Sequence, residues 1–178
     1  MTITTKSPLA VLIAAGLAVL PQAATASPID KLLESGEFEI FSAALKQAGL
    51  WDRITSENGV MLFLISDEAM RNEGSAFLLG EVLTTKSNQQ RLVELMSYHI
   101  SFSGPLSPDA IQGEVMLRTS ASACLPVFRL GTGLHVGPEA VVTDVKQVEN
   151  GIVYVIDRLL WQPWQDDARC GDLVAKVR

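Results

Sequence analysis

Apolar positions follow one period in the first half of the chain and another in the second. Ser27-Pro28-Ile29-Asp30 opens a short helix, with Ser27 as N-cap and Pro28 in the first helical position, and Gly36 ends it. Phe38, Phe41, Leu45 and Ala48 recur at three- and four-residue spacing, the stripe of an amphipathic helix that Gly49 closes. Asn58-Gly59 is a turn signal, and residues 60–65 form a continuous apolar run of strand length, which predicts a buried strand. Ser66-Asp67-Glu68 caps another helical segment, and residues 75–83 carry a looser helical pattern. A firmer helix begins near Ser87 or Asn88 and places Leu92, Leu95, Met96 and His99 on one face. Ser107-Pro108-Asp109 repeats the Ser-Pro opening for a single turn that Gly113 ends.

From Glu114 onward the runs are short and of β type: residues 115–118, 125–130, 134–136, 141–148 and 152–160. Gly131-Thr132-Gly133, Gly137-Pro138 and Asn150-Gly151 separate them. Helices come first and strands follow, with one early strand among the helices. That order predicts an α+β fold rather than the strict alternation of a parallel α/β sheet.

The extreme N-terminus has a different pattern. Lys6 is the only charge in the first 29 residues, residues 9–20 are apolar, Pro21 and Gln22 break the run, and Ala24-Thr25-Ala26 offers the small residues a signal peptidase accepts. Residues 1–26 therefore read as a cleavable signal peptide, and its apolar run is well short of the roughly 20 residues that span a bilayer. The mature chain then holds a domain at residues 27–163 and a polar C-terminal tail at residues 164–178. No later apolar stretch approaches spanning length, so no membrane insertion is expected after cleavage, and the expected location is periplasmic or secreted.

Charge narrows the partners. The chain has 14 Lys and Arg against 20 Asp and Glu, and the leader removes one of the basic residues. An acidic chain without a basic cluster is a poor match for nucleic acid. Cys124 and Cys170 are the only cysteines. In an oxidising compartment an even pair favours a disulfide, which would tie the tail back to the domain, although two buried thiols remain the other reading. Such a bond would close a loop of about 46 residues, a contribution of about 4 kcal/mol in the chain-entropy picture.

Catalytic signatures are sparse. The chain has no GxSxG elbow, HExxH pair, P-loop or dinucleotide glycine pattern. His99 and His135 lie far apart without nearby carboxylates at metal-ligand spacing, so neither a metal nor a cofactor is expected. Tyr98-His99 has two readings. His99 can fix its helix end through backbone hydrogen bonds, or the pair can face a ligand.

Three segments in register resemble a fasciclin domain. Phe63-Leu64-Ile65-Ser66-Asp67-Glu68-Ala69-Met70 is similar to the family's first box, commonly Phe-Ala-Pro-Ser/Thr-Asn/Asp, a variable residue and Ala-Phe. Leu95-Met96-Ser97-Tyr98-His99-Ile100 is similar to its Tyr-His motif and is followed by Gly104, Leu106 and the Ser-Pro-Asp turn. Asn150-Gly151-Ile152-Val153-Tyr154-Val155-Ile156-Asp157 is similar to its second box, commonly Asn-Gly-Val-Ile-His-Val-Ile-Asp. Leu64-Ile65 stand for Ala-Pro, Met70 for Phe and Tyr154 for the usual His, swaps that keep apolar bulk. The cysteine pair and the tail lie outside the common pattern.

The resemblance implies a twisted β-sandwich or wedge with the N-terminal and central helices packed on one side. It gives Ser66, Asp67, Tyr154 and Asp157 structural places. It implies an exported, non-catalytic binding or adhesion module whose partner is a protein or a surface polysaccharide, with a weak homo-oligomer compatible with that role. Tyr98, His99, Asp144 and Val145 are the expected partner contacts. Asp144-Val145 falls where animal members carry an Asp-Ile dipeptide implicated in receptor recognition. Two other functions compete: an enzyme using Tyr98 and His99 as acid-base groups, and a carrier of a small apolar ligand.

Overall fold

The computed structural model describes residues 28–72 and 88–161. The leader, the helical pattern at 75–83, Cys170 and the tail lie outside the described residues. The chain opens with helices α1 (Ile29–Leu33), α2 (Glu39–Gln47) and α3 (Trp51–Ser56). Strand β1 (Val60–Ile65), helix α4 (Asp67–Asn72), helix α5 (Gln89–Tyr98) and the short strand β2 (Ile100–Ser101) follow. After a 3-10 turn at Pro108–Ala110 come strands β3 (Glu114–Arg118), β4 (Cys124–Leu130), β5 (Gly133–Val136), β6 (Ala140–Val148) and β7 (Gly151–Ile156).

The stripe predicted on α2 is its buried face: Phe38, Phe41 and Leu45 are 1% exposed or less, Ala48 at the C-cap is 8% exposed, and Ala44 joins them. Gly49, at φ +72°, closes this helix in a double-bonded cap. The Leu50 N–H reaches the Leu45 carbonyl at 3.0 Å, and the Gly49 N–H reaches that of Lys46 at 3.1 Å. The N-terminus of α2 has no cap from its own flank. Asp67 supplies it from α4, accepting the Ile40 N–H at 3.0 Å. Ser66 caps α4 by accepting the Ala69 N–H at 3.1 Å.

The seven strands run in the order β2-β1-β7-β6-β5-β4-β3. All neighbours are antiparallel except β1 and β7, which pair in parallel from Val60↔Gly151 to Ile65↔Ile156. Every residue of β1 is buried, as are Ile152 to Ile156 of β7, so these two strands are covered on both faces. A parallel pair sealed on both sides reads as an unbroken apolar run, which explains the composition of both. Strand β6 belongs to both halves of the sheet. Ala140 and Val141 pair with β5, and the rest pairs with β7 beyond a bulge between Val142 and Asp144. The bulge bends the strand and lets the β3–β4–β5 half fold over the first half as a wedge. Leu125, Val127, Leu134 and Val136 of that half join α2, β1 and β7 in one core.

The α+β order and the five late strands stand in the structure, and three details differ. Pro28 is the N-cap of α1 rather than its first helical residue. Helix α3 and strand β2 had no distinct sequence signal, because α3 is six residues long and β2 only two. The run at 152–160 leaves the sheet at Ile156. The Asp157 carboxylate accepts the Val141 N–H at 2.8 Å while the Asp157 N–H donates to the Val141 carbonyl, so the ladder closes on a side chain. Leu159 and Leu160, both 3% exposed, then turn into the core without a strand partner.

Candidate functional site

Helix α5 ends where His99 enters the core. Its ring is fully buried and lies edge-on to Phe41 at 5.4 Å between centroids. Nδ1 lies 2.9 Å from the Leu95 carbonyl, and Nε2 accepts the Leu160 N–H at 3.0 Å. The first contact needs a proton on Nδ1 and the second needs a lone pair on Nε2, so one neutral tautomer satisfies both. Burial lowers the pKa of the ring to about 4, against the opposing pull of the Leu95 carbonyl. His99 thus joins helix α5 to the segment after β7, and neither nitrogen is left for a substrate.

Tyr98 is also buried, and its hydroxyl donates to the Cys124 carbonyl at 3.2 Å. Burial pushes its pKa up to about 12. Tyr98 and His99 therefore spend their polar atoms on backbone groups: Tyr98 on the Cys124 carbonyl, His99 on the Leu95 carbonyl one turn back and on the Leu160 N–H. The acid-base role entertained for them has no geometric basis here: His99 is neutral without a carboxylate beside it, and Tyr98 resists ionisation.

Tyr154 stands on β7 directly opposite Phe63 of β1, with the rings stacked at 5.5 Å and 20°. Its hydroxyl donates to the Leu106 carbonyl and anchors the loop before the 3-10 turn. Burial pushes this phenol up to about 12 as well. At the other end of β7, burial raises the Asp157 carboxyl. The Arg158 guanidinium and the Val141 N–H outweigh that and hold it below its ordinary value.

The Asn150-Gly151 pair makes a tight corner. The Asn150 amide donates to the carbonyls of Ile54 and Glu57 at 2.8 and 2.9 Å, which closes the C-terminus of α3. Its carbonyl accepts the N–H groups of Gly59 and Val60 at 2.8 and 3.0 Å, which starts the β1–β7 pairing. A Cβ on Gly151 would stand 1.9 Å from the Val60 oxygen, so only glycine fits. The sequence marks this pair as a turn, but its bonds to α3 and β1 span 90 residues or more and leave no local trace.

Asp144 and Val145 lie mid-strand on β6, just past the bulge. Asp144 is exposed and its carboxylate meets the Lys146 ammonium at 2.8 Å. That hydrogen bond holds the carboxyl below its ordinary value and raises the lysine. Val145 points the other way and packs against the core. Of the four expected contacts, only Asp144 presents its polar group to solvent.

A cavity of about 170 Å³ lies between Tyr98, residues 136–140 and residues 158–161. Arg158 at its rim pairs with Glu139 at 3.5 Å and with Asp157 at 3.2 Å. Among the described residues no group of three or more His, Cys, Asp or Glu could hold a metal ion. No helix among them is long and apolar enough to cross a membrane.

The seven-stranded wedge with helices on one side, whose three sequence boxes serve the packing of β1, β7, α4 and α5, is an α+β fold. The chain belongs to the fasciclin family: the family model for the Fasciclin domain matches residues 36–163. Among solved structures the fold is similar to a FAS1 domain pair from the insect cell adhesion molecule Fasciclin I. The TM-score is 0.64 at 15% identity, over 78% of this chain and 51% of that one. The chain thus spans about half the length of that structure. No curated protein matches the sequence.

Proposed function

We propose that the chain is an exported single-domain binding module of the adhesion type, which recognises a protein or a surface polysaccharide. On this reading residues 1–26 are a cleaved leader, residues 27–163 form the domain, and residues 164–178 are a tail tied back by a Cys124–Cys170 disulfide. The mature protein is periplasmic or released. The family supports a non-catalytic binding role in general. The observation that carries it for this chain is the full use of Tyr98 and His99 by backbone partners, which removes the best acid-base pair the sequence offered.

Asp144, exposed beside Lys146, is the proposed polar contact, with Val145 shaping the strand beneath it. A carrier of an apolar ligand finds little support, since the cavity at Tyr98 is smaller than the roughly 300–1,000 Å³ usual for ligand pockets. Immobilised mature protein is expected to bind a cell-envelope polysaccharide or solubilised envelope protein saturably, with weaker binding for Asp144→Asn. Absence of saturable binding to either preparation at any ionic strength overturns the reading.

A further inference from the structure

The walls of the cavity beside Tyr98 are fixed by the core. Tyr98 itself is buried there, with its hydroxyl tied to the Cys124 carbonyl. One side is the turn at Gly137-Pro138, where the Gly137 N–H donates to the Pro126 carbonyl at 2.8 Å. The other side is the chain after β7. There Leu159 and Leu160 are buried and the Leu160 N–H is held by His99 Nε2, so Trp161 leaves the core from a fixed point. Trp161 lines the cavity and is nevertheless 50% exposed. An indole held half in solvent at the mouth of a cavity is a preformed stacking surface with a polar edge.

The rim is charged in both senses. Glu139, well exposed, meets the Arg158 guanidinium at 3.5 Å, and Arg158 also meets Asp157 at 3.2 Å. Among the described residues of this rim, two carboxylates face one guanidinium, which leaves no net positive charge to hold an anion. The same groups set hydrogen-bond donors and acceptors side by side, a match for neutral hydroxyls. A sugar ring has hydroxyls around its edge and C–H groups on its faces that lie flat on an indole. The cavity, about 170 Å³, is too small to enclose a drug-sized ligand, but it opens between Trp161 and Glu139. It therefore suits one ring of a chain that runs on over the surface.

We propose that this cleft binds one pyranose ring of a neutral polysaccharide, with Trp161 as the stacking platform and the Glu139–Arg158 pair as the hydroxyl partners. The proposal rests on the binding-module reading above and narrows its partner to a carbohydrate.

NMR titration of the mature protein with cellohexaose, mannohexaose and an oligogalacturonate tests this. The Trp161 indole N–H signal, assigned by its loss in Trp161→Ala, is expected to shift saturably with at least one of the two neutral sugars and not with the galacturonate. Trp161→Ala should bind that neutral sugar about tenfold more weakly, read from the backbone signals of Ala140 and Leu160, and Trp161→Tyr should recover most of the loss. An unchanged urea midpoint shows that the variants are folded. No shift with either neutral sugar, tighter binding of the galacturonate, or full affinity in Trp161→Ala each overturns the cleft. Should Trp161→Ala unfold, Glu139→Ala on the exposed rim decides, and its unchanged affinity overturns the proposal. Binding to immobilised envelope polysaccharide and envelope protein separates the two failures. Undiminished binding of either by Trp161→Ala sinks the cleft alone, and a wild type that binds neither of them nor the hexasaccharides sinks the binding-module reading with it.

Discussion

The two halves of the sheet bury their strands in different ways. β1 and β7 are sealed on both faces, one by the helices and the other by the folded-over half of the sheet. β3, β4 and β5 are sealed on one face and alternate, with Leu125, Val127, Leu134 and Val136 in the core and Pro126, Phe128 and His135 opposite them. Along residues 60–65 and 152–156 every position is buried, and the only polar side chain among them, Tyr154, donates its hydroxyl to the Leu106 carbonyl. On the second half the face opposite the core is only partly covered, with Pro126, Phe128 and His135 half-buried. The fasciclin boxes all fall on the sealed half or on α4 and α5 beside it, so they report the fold and are nearly silent about partners.

The sealed half should therefore break hardest. Gly151→Val is expected to cost about 4 kcal/mol or more, because the new Cβ would collide with the Val60 backbone, not with a flexible side chain. Urea denaturation should show the mature variant largely unfolded in buffer. A midpoint within experimental error of wild type would mean the Asn150-Gly151 corner is far looser than the distances indicate. Next comes His99→Ala, expected to cost about 3–5 kcal/mol. It orphans the Leu95 carbonyl and the Leu160 N–H and leaves a cavity against Phe41. His99→Gln, which can offer both a donor and an acceptor, should recover part of that loss.

The same histidine gives a pH signature. Its folded pKa is about 4, below the unfolded value near 6.5, so the unfolded chain binds the extra proton between those values. Its contribution is whole above about pH 6.5 and declines as pH falls toward 4, by about 3 kcal/mol in all. Chemical denaturation from pH 7 to pH 4 should show this slope in the wild type and a shallower one in His99→Gln. Equal slopes would place the acid sensitivity elsewhere.

What the sequence made legible follows from range. The stripe of α2, the strand run at 60–65 and the turn-punctuated strands after residue 114 are local patterns, and each became the expected element. The end of β7 was misread because Leu159 and Leu160 continue an apolar run whose termination depends on Asp157 and His99, one bonded to β6 and the other to the chain beyond. Asp67 capping a helix 27 residues earlier, and Asn150 closing α3, have no local signature either. The Tyr98-His99 pair was visible as an oddity, but choosing between ligand contact and structural node needed the backbone atoms at residues 95, 124 and 160.

The smallest stability effect should come from the residue with the most to say about function. Asp144 is 54% exposed and its bond to Lys146 lies on the outer surface of β6. Solvent screening leaves such a pair worth little, so Asp144→Asn should change unfolding free energy by no more than about 0.5 kcal/mol. The bulge between Val142 and Asp144 is set by backbone pairing with β7 and should survive the change. Any loss of partner binding in this variant can then be read as a lost contact. Denaturation and binding measured on the same preparation check it. A stability loss above about 1 kcal/mol would show that Asp144 helps hold the bend between the two halves, and would place it with the sealed half of the molecule.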